Sequence, residues 1–184
     1  MNEVLRTIER RFSCRSYTGQ PVAREKIEAI GKAALQAPSA MNIQPWEVLV
    51  IDDKALVDEL DAAALEVMAA NPDKSFYNRI MERGGKVFYN APCLFLVLKK
   101  EDARWGGIDC GILTQNICLA ASSLELDNVI VAMAAMPFNG PRGDEFKKRV
   151  GWPEGMVFGM GVLVGQGDAA KEPHEVDMSK LRYV

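Results

Sequence analysis

Two short stretches hold most of the side chains in this sequence that could recognise a ligand. In "RRFSCRSY", residues 10 to 17, three arginines and a serine fall close together: Arg10, Arg11, Ser13 and Arg15. A guanidinium is planar, offers paired donors and stays charged, so it suits a phosphate. Arg11 and Arg15 lie four apart and share a face if a helix continues through them; if it ends near Phe12 they can still converge on one anion, with the Ser13 hydroxyl adding a donor. Taken alone, the same residues also fit a solvated helix end, where arginine is favoured by the negative pole of the dipole. In "PSAMNIQPW", residues 38 to 46, Ser39, Asn42 and Gln44 stand between Pro38 and Pro45. Each amide presents a donor and an acceptor, as the edge of a heteroaromatic ring with alternating C=O and N–H groups requires. An Asx-type turn entering a strand fits this stretch too. Together the two stretches suit a ligand with a phosphate at one end and a flat, amide-like heterocycle at the other, a shape that FMN has.

Other chemistries find little support. The four cysteines, Cys14, Cys93, Cys110 and Cys118, have no CxxC spacing, and His174 is the one histidine, which argues against zinc and against a disulfide framework. Cys110 and Cys118 read as packing residues. "GMGVLVG" lacks the dinucleotide fingerprint, because Val164 stands where the third glycine is needed, and it reads as a strand. No phosphate-loop, HExxH or GxSxG motif occurs. Asp52 and Asp53 read as a strand-end turn and a helix cap rather than a catalytic pair. A net charge of −3 leaves no basic excess for nucleic acid. No apolar run reaches the roughly 18 residues needed to span a bilayer, and "MNEVLRTIERRF" is too charged for a secretory leader. A reducing cytoplasm fits the cysteines best.

The elements that must hold these stretches follow from periodicity. Val4, Leu5, Ile8 and Phe12 predict an amphipathic helix over 2 to 12. A second helix is predicted over 24 to 36, with Ile27, Ile30, Ala34 and Leu35 towards the core, and a third over 54 to 70. Residues 71 to 91 read as a helix and then a loop. Strands are predicted at "WEVLVID", at the doubly buried "CLFLVLK", at 128 to 134 and at 156 to 167. The helix over 107 to 124 is apolar nearly all round and belongs at the centre of something; a short helix covers "GDEFKKRVG". Neither repeats nor linkers interrupt the chain, so residues 1 to 184 are expected to form one α+β domain, with 168 to 184 an extended C-terminal arm.

"RRFSCRSY", "PSAMNIQPW" and "DCGILTQNICLAASSLELDNVIVA", in that order, resemble the FMN-dependent nitroreductase family over about residues 4 to 166. The resemblance implies a three-layer fold with a mostly antiparallel sheet between helices. It also implies an intertwined homodimer with two FMN sites in the subunit interface. By motif, Arg11, Phe12, Ser13 and Arg15 hold the ribityl phosphate and one flavin edge. Pro38, Ser39, Ala40 and Asn42 come from the other subunit, assisted by Gln44, and the backbone of Ile130, Val131, Ala132 and Met133 faces the ring near N5. Lys171 or His174 completes the phosphate site. Asp109, Gln115 and Asn116 are expected to make buried polar contacts. The chain departs from the family where Glu125 and Asp127 replace glycines and where Ala132 and Met133 replace a glycine pair, so Met133 is expected beside the ring. Phe76, Tyr77, Phe88 and Tyr89 are the candidates for a substrate wall. The implied activity is hydride transfer from NAD(P)H through flavin N5 to a nitroaromatic or quinone-like acceptor, by ping-pong turnover in one pocket. The alternatives are an FMN-binding protein without turnover and another flavin reaction on the same fold, such as flavin fragmentation or ring dehydrogenation.

Overall fold

The computed structural model describes all 184 residues. Its centre is the apolar run Cys93–Lys100, strand β2, which is buried from Cys93 to Leu98. Strand β1 (Trp46–Ile51) lies antiparallel on one side of it, and β4 (Met156–Gly165) antiparallel on the other. The short β3 (Asp127–Ile130) pairs with β4, so the sheet order is β1-β2-β4-β3. Side chains along a strand alternate between faces. Leu94, Leu96 and Leu98 therefore enter one core, while Cys93, Phe95 and Val97 enter the other.

Helices cover both faces. On one side lie α3 (Lys54–Ala70), α4 (Ser75–Met81), α6 (Met136–Asn139) and α7 (Gly143–Val150), which contribute Leu60, Ile80, Phe138 and Phe146 to the first core. On the other lie α2 (Arg24–Leu35) and α5 (Gly106–Ser123), contributing Ile30, Leu113 and Ile117 to the second. Helix α1 (Glu3–Arg10) rests on α5. The result is the expected three-layer α+β arrangement. Asp53 caps α3 by accepting from the Ala55 N–H, and Asp52 pairs with Arg24, so both aspartates are structural.

Four expectations change. The strand over 128 to 134 ends at Ile130, and residues Ala132–Ala135 form a 3-10 turn leading into α6. The turn can lie on the sheet because Gly161 has no side chain: a Cβ there would come within 2.6 Å of the Ala134 Cβ and 2.8 Å of the Val131 carbonyl oxygen. Leu35 is exposed rather than buried, and so is Gln115. Phe88 is wholly inside the first core and walls no site, whereas Phe76 is exposed.

Two helices leave apolar side chains uncovered by the rest of the chain, besides those exposed on the C-terminal arm. Val4, Leu5 and Ile8 of α1 point outward, leaving Thr7 as its one buried residue. On α5, Ile108 is 60% exposed and Ile112 is exposed with it, one turn apart. No helix is long and apolar enough to cross a membrane.

Candidate functional site

Helix α1 stops at Arg10, and Arg11 is already extended, with φ −61° and ψ 125°. The chain then runs along the exposed edge of β3. Ser13 bridges to Asn128, and the Cys14 N–H donates to the Asn128 carbonyl at 3.0 Å. Cys14 and Tyr17 turn inward and are buried, which anchors the segment; the Tyr17 hydroxyl donates to the Leu163 carbonyl. Ser13 and Arg15 are left on the outer side. Asn128 is itself held: its side-chain amide donates to the Cys118 carbonyl and to Ser122 Oγ, both at 3.0 Å. The loop of 11 to 15 is thereby tied to the C-terminal end of α5.

The three arginines of this segment are not equivalent. Arg10 Nη2 donates to the Ser122 carbonyl at 2.7 Å and approaches Glu3 at 3.8 Å. Arg11 and Arg15 have no carboxylate partner; Arg15 Nη1 folds back to the Ser13 carbonyl at 3.3 Å. Both charges remain free for an outside anion. A depression of about 300 Å³ beside Arg11 is lined by Arg10, Arg11, Phe12, Ser122, Glu125, Leu126 and Asp127, and Arg15 lies outside it.

Ile130 to Met133 share the same sheet edge. Ile130 and Ala132 are exposed and Val131 is buried. The Val131 N–H is spent on the Gly161 carbonyl at 2.8 Å, whereas the N–H groups of Ala132 and Met133 open the 3-10 turn without a backbone acceptor. Met133 is half-buried and packs on the first core.

The second loop lies elsewhere. Pro38 and the crest of the loop are exposed, and Met41, Asn42 and Gln44 all take left-handed backbone, with φ of 54°, 54° and 49°. Ser39 Oγ accepts from the Gln44 N–H at 2.8 Å, and Gln44 Nε2 donates to Asn42 Oδ1 at 2.9 Å. The Ala40 N–H donates to Asp109, in the first turn of α5, at 3.0 Å. Within one chain the two loops therefore sit at opposite ends of α5. From Asp109 to Ser122 the helix rises about 20 Å at 1.5 Å per residue.

Lys171 and His174 are exposed and bonded to nothing in the chain, although the arm begins beside the first loop, where the Asp168 N–H reaches the Ser16 carbonyl. No group of acidic, cysteine or histidine side chains could hold a metal. Burial pushes the Cys93 and Cys118 thiols up to about 12 and Cys110 to about 11, so none is a nucleophile at neutral pH. Sequence reasoning did not foresee the role of Asn128; a buried asparagine in a strand carries no signal of what it holds.

Comparison with known proteins points one way. A model of the nitroreductase family matches residues 8–166. A protein of Archaeoglobus fulgidus, provisionally named NADH dehydrogenase/NAD(P)H nitroreductase, is 30% identical over 96% of this chain and 92% of its own length. The crystal structure of a nitroreductase with bound FMN from Desulfitobacterium hafniense superposes with a TM-score of 0.94 at 45% identity, covering 100% of this chain and 99% of that one. A second nitroreductase with bound FMN, from Bacteroides fragilis, gives 0.88 at 26% identity, with both chains covered in full.

Proposed function

Because this chain belongs to the nitroreductase family, we propose that it is an FMN-dependent oxidoreductase that uses NAD(P)H to reduce a small nitroaromatic or quinone-like acceptor. The observation that carries this reading is the set of unspent donors at the β3 edge. Arg11 and Arg15 lack carboxylate partners, the Ser13 hydroxyl is uncommitted, and the Ala132 and Met133 N–H groups lack backbone acceptors. Such a set fits a phosphate at one end and the carbonyl and nitrogen edge of a flavin at the other. FMN, when bound, would supply the redox chemistry, hydride transfer through flavin N5, while the residues of this chain hold it.

The residues of this chain then bind and orient. Arg11, Ser13 and Arg15 hold the phosphate, with Phe12 against the ring. Ile130 to Met133 present backbone to the ring edge. Pro38, Ser39, Ala40, Asn42 and Gln44 close the site from the partner. No side-chain acid or base is required, in keeping with thiols held protonated and a lone histidine in the arm.

The spacing of the two loops supports a homodimer. The α5 residues that hold them, Asp109 and Ser122, lie about 20 Å apart along the helix, which favours completing each ring site with a second subunit. Two α5 helices crossing antiparallel would set the Asp109 end of one beside the Ser122 end of the other, joining the halves into two sites. The uncovered Ile108, Ile112, Val4, Leu5 and Ile8 support such a contact. Burying the rest of five half-exposed aliphatic side chains contributes about 5 kcal/mol, at about 1 kcal/mol each. The arm of 168 to 184, with Lys171 and His174, would reach the phosphate site across that interface. Four free, buried cysteines suit a reducing cytoplasm.

The test is steady-state kinetics of the purified yellow protein with NADH and NADPH against nitroaromatics and quinones. One shared pocket requires ping-pong turnover, seen as parallel double-reciprocal lines. A protein that binds FMN without oxidising NAD(P)H would overturn the enzymatic reading, and intersecting lines would overturn the shared pocket.

A further inference from the structure

We propose that Asp109 is a positioning residue that fixes the loop of 38 to 44 in the shape the partner's flavin site needs. The inference rests on the FMN reading above. The loop is unusual in carrying three non-glycine residues in left-handed backbone within four positions, Met41, Asn42 and Gln44. Such residues persist only where their surroundings over-determine them. The loop's own bonds fold it onto itself: the Asn42 N–H donates to the Ser39 carbonyl, the Ile43 N–H to the Ala40 carbonyl, and Gln44 bonds to Ser39 and Asn42. None of these fixes it to the rest of the molecule.

One side chain from outside does. Asp109 is 4% exposed, and one of its oxygens accepts the Ala40 N–H at 3.0 Å. A carboxylate accepting a backbone N–H makes a charge-assisted bond, stronger than a neutral one. Seven residues on, on the same side of α5, Asn116 Nδ2 donates to the Ala33 carbonyl at 3.0 Å. Helix α5 thus holds the end of α2 with Asn116 and the crest of the following loop with Asp109. The same helix carries Ile108 and Ile112 outward. A fixed distance between the loop and the α5 face follows, and that distance sets where the loop meets a second subunit. The second Asp109 oxygen makes no bond in the chain, so an amide can take the place of the carboxylate without losing the acceptor.

The experiment compares wild type, Asp109→Ala and Asp109→Asn in the FMN-depleted protein and in flavin titrations. In Asp109→Ala the Ala40 amide should exchange with solvent about tenfold faster or more, and FMN should bind about tenfold more weakly. Amides of β2, such as Leu96, should exchange as in wild type, which separates a freed loop from a loosened fold. Asp109→Asn should restore both quantities to within about threefold of wild type, because its carbonyl oxygen can still accept. The proposal is overturned if Ala40 exchange and flavin affinity are unchanged in Asp109→Ala, or if Asp109→Asn behaves like Asp109→Ala. Should wild type bind no FMN, the functional reading fails instead, and the Ala40 exchange rates alone decide the anchor.

Discussion

Glu125 occupies a position built for glycine. Helix α5 ends at Ser123, and the Leu126 N–H then bonds to the Ala121 carbonyl at 3.0 Å while the Glu125 N–H bonds to the Ser122 carbonyl at 3.2 Å. That pair of bonds is a Schellman cap, whose first residue beyond the cap must be left-handed; Glu125 has φ 61°. A side chain there meets the neighbouring carbonyl at a cost of about 1 to 2 kcal/mol. Replacing Glu125 with Gly removes that strain, offset by about 0.4 to 1 kcal/mol of added freedom in the unfolded chain. It also removes an anion from the negative pole of α5, worth about 0.3 kcal/mol at an exposed site. The net expectation is a stabilisation of about 1 kcal/mol, or about 2 to 4 °C in Tm for a chain of this size. Denaturant unfolding of the FMN-depleted protein measures it, with Glu125→Ala as the control: alanine removes the charge and keeps the left-handed penalty. Equal stability of the Gly and Ala variants would refute the backbone argument.

Arg15→Ala should weaken FMN binding by about 1.5 to 3 kcal/mol, the value of a hydrogen bond to a charged group; equal affinities in a flavin titration would remove Arg15 from the phosphate site. Ile108→Glu changes a side chain that the folded chain leaves open, so sedimentation should find a folded monomer, and flavin should be lost with the dimer; an FMN-loaded monomer would contradict the two-subunit site. Asp61 is buried against the Phe88 N–H and lies 3.6 Å from Lys86, and burial holds its carboxyl above the ordinary value of 3.8. The folded protein takes up this proton before the unfolded chain does, so the contribution of Asp61 is most favourable below the ordinary value and is lost as pH rises through the raised one. Asp61→Asn should abolish that component of a stability-versus-pH curve; identical curves would count against it.

What the sequence disclosed, and what it withheld, divides along a physical line. The continuous apolar run Cys93 to Leu98 and the helical spacing of Ile27, Ile30 and Ala34 are local records of faces buried within the chain, and they placed a strand and a helix correctly. The end of β3 had no local record. "VIVAMA" stays apolar through Ile130 with no glycine or proline to mark a stop, and the turn at Ala132 is permitted by the missing Cβ of Gly161, some thirty residues later. Periodicity also could not say what covers a face. Val4, Leu5 and Ile8 have the spacing of a core helix and point to solvent, and Leu35 does the same at the end of α2.

The candidate site shows the same division more sharply. The residue types of 10 to 17 and 38 to 46 were legible because anion and amide recognition demand particular side chains wherever they fall. Their placement was readable only through the family resemblance, because the residue types alone do not say how far apart α5 holds the two stretches. That helix separates Asp109 from Ser122 by about 20 Å, and it carries an apolar stripe with no partner in its own chain. At 18 residues, with Asp109 holding one loop and the Asn128 contacts holding the other, α5 keeps the two loops apart within one chain, and the proposed pairing of the helix with a copy of itself is what would bring them together.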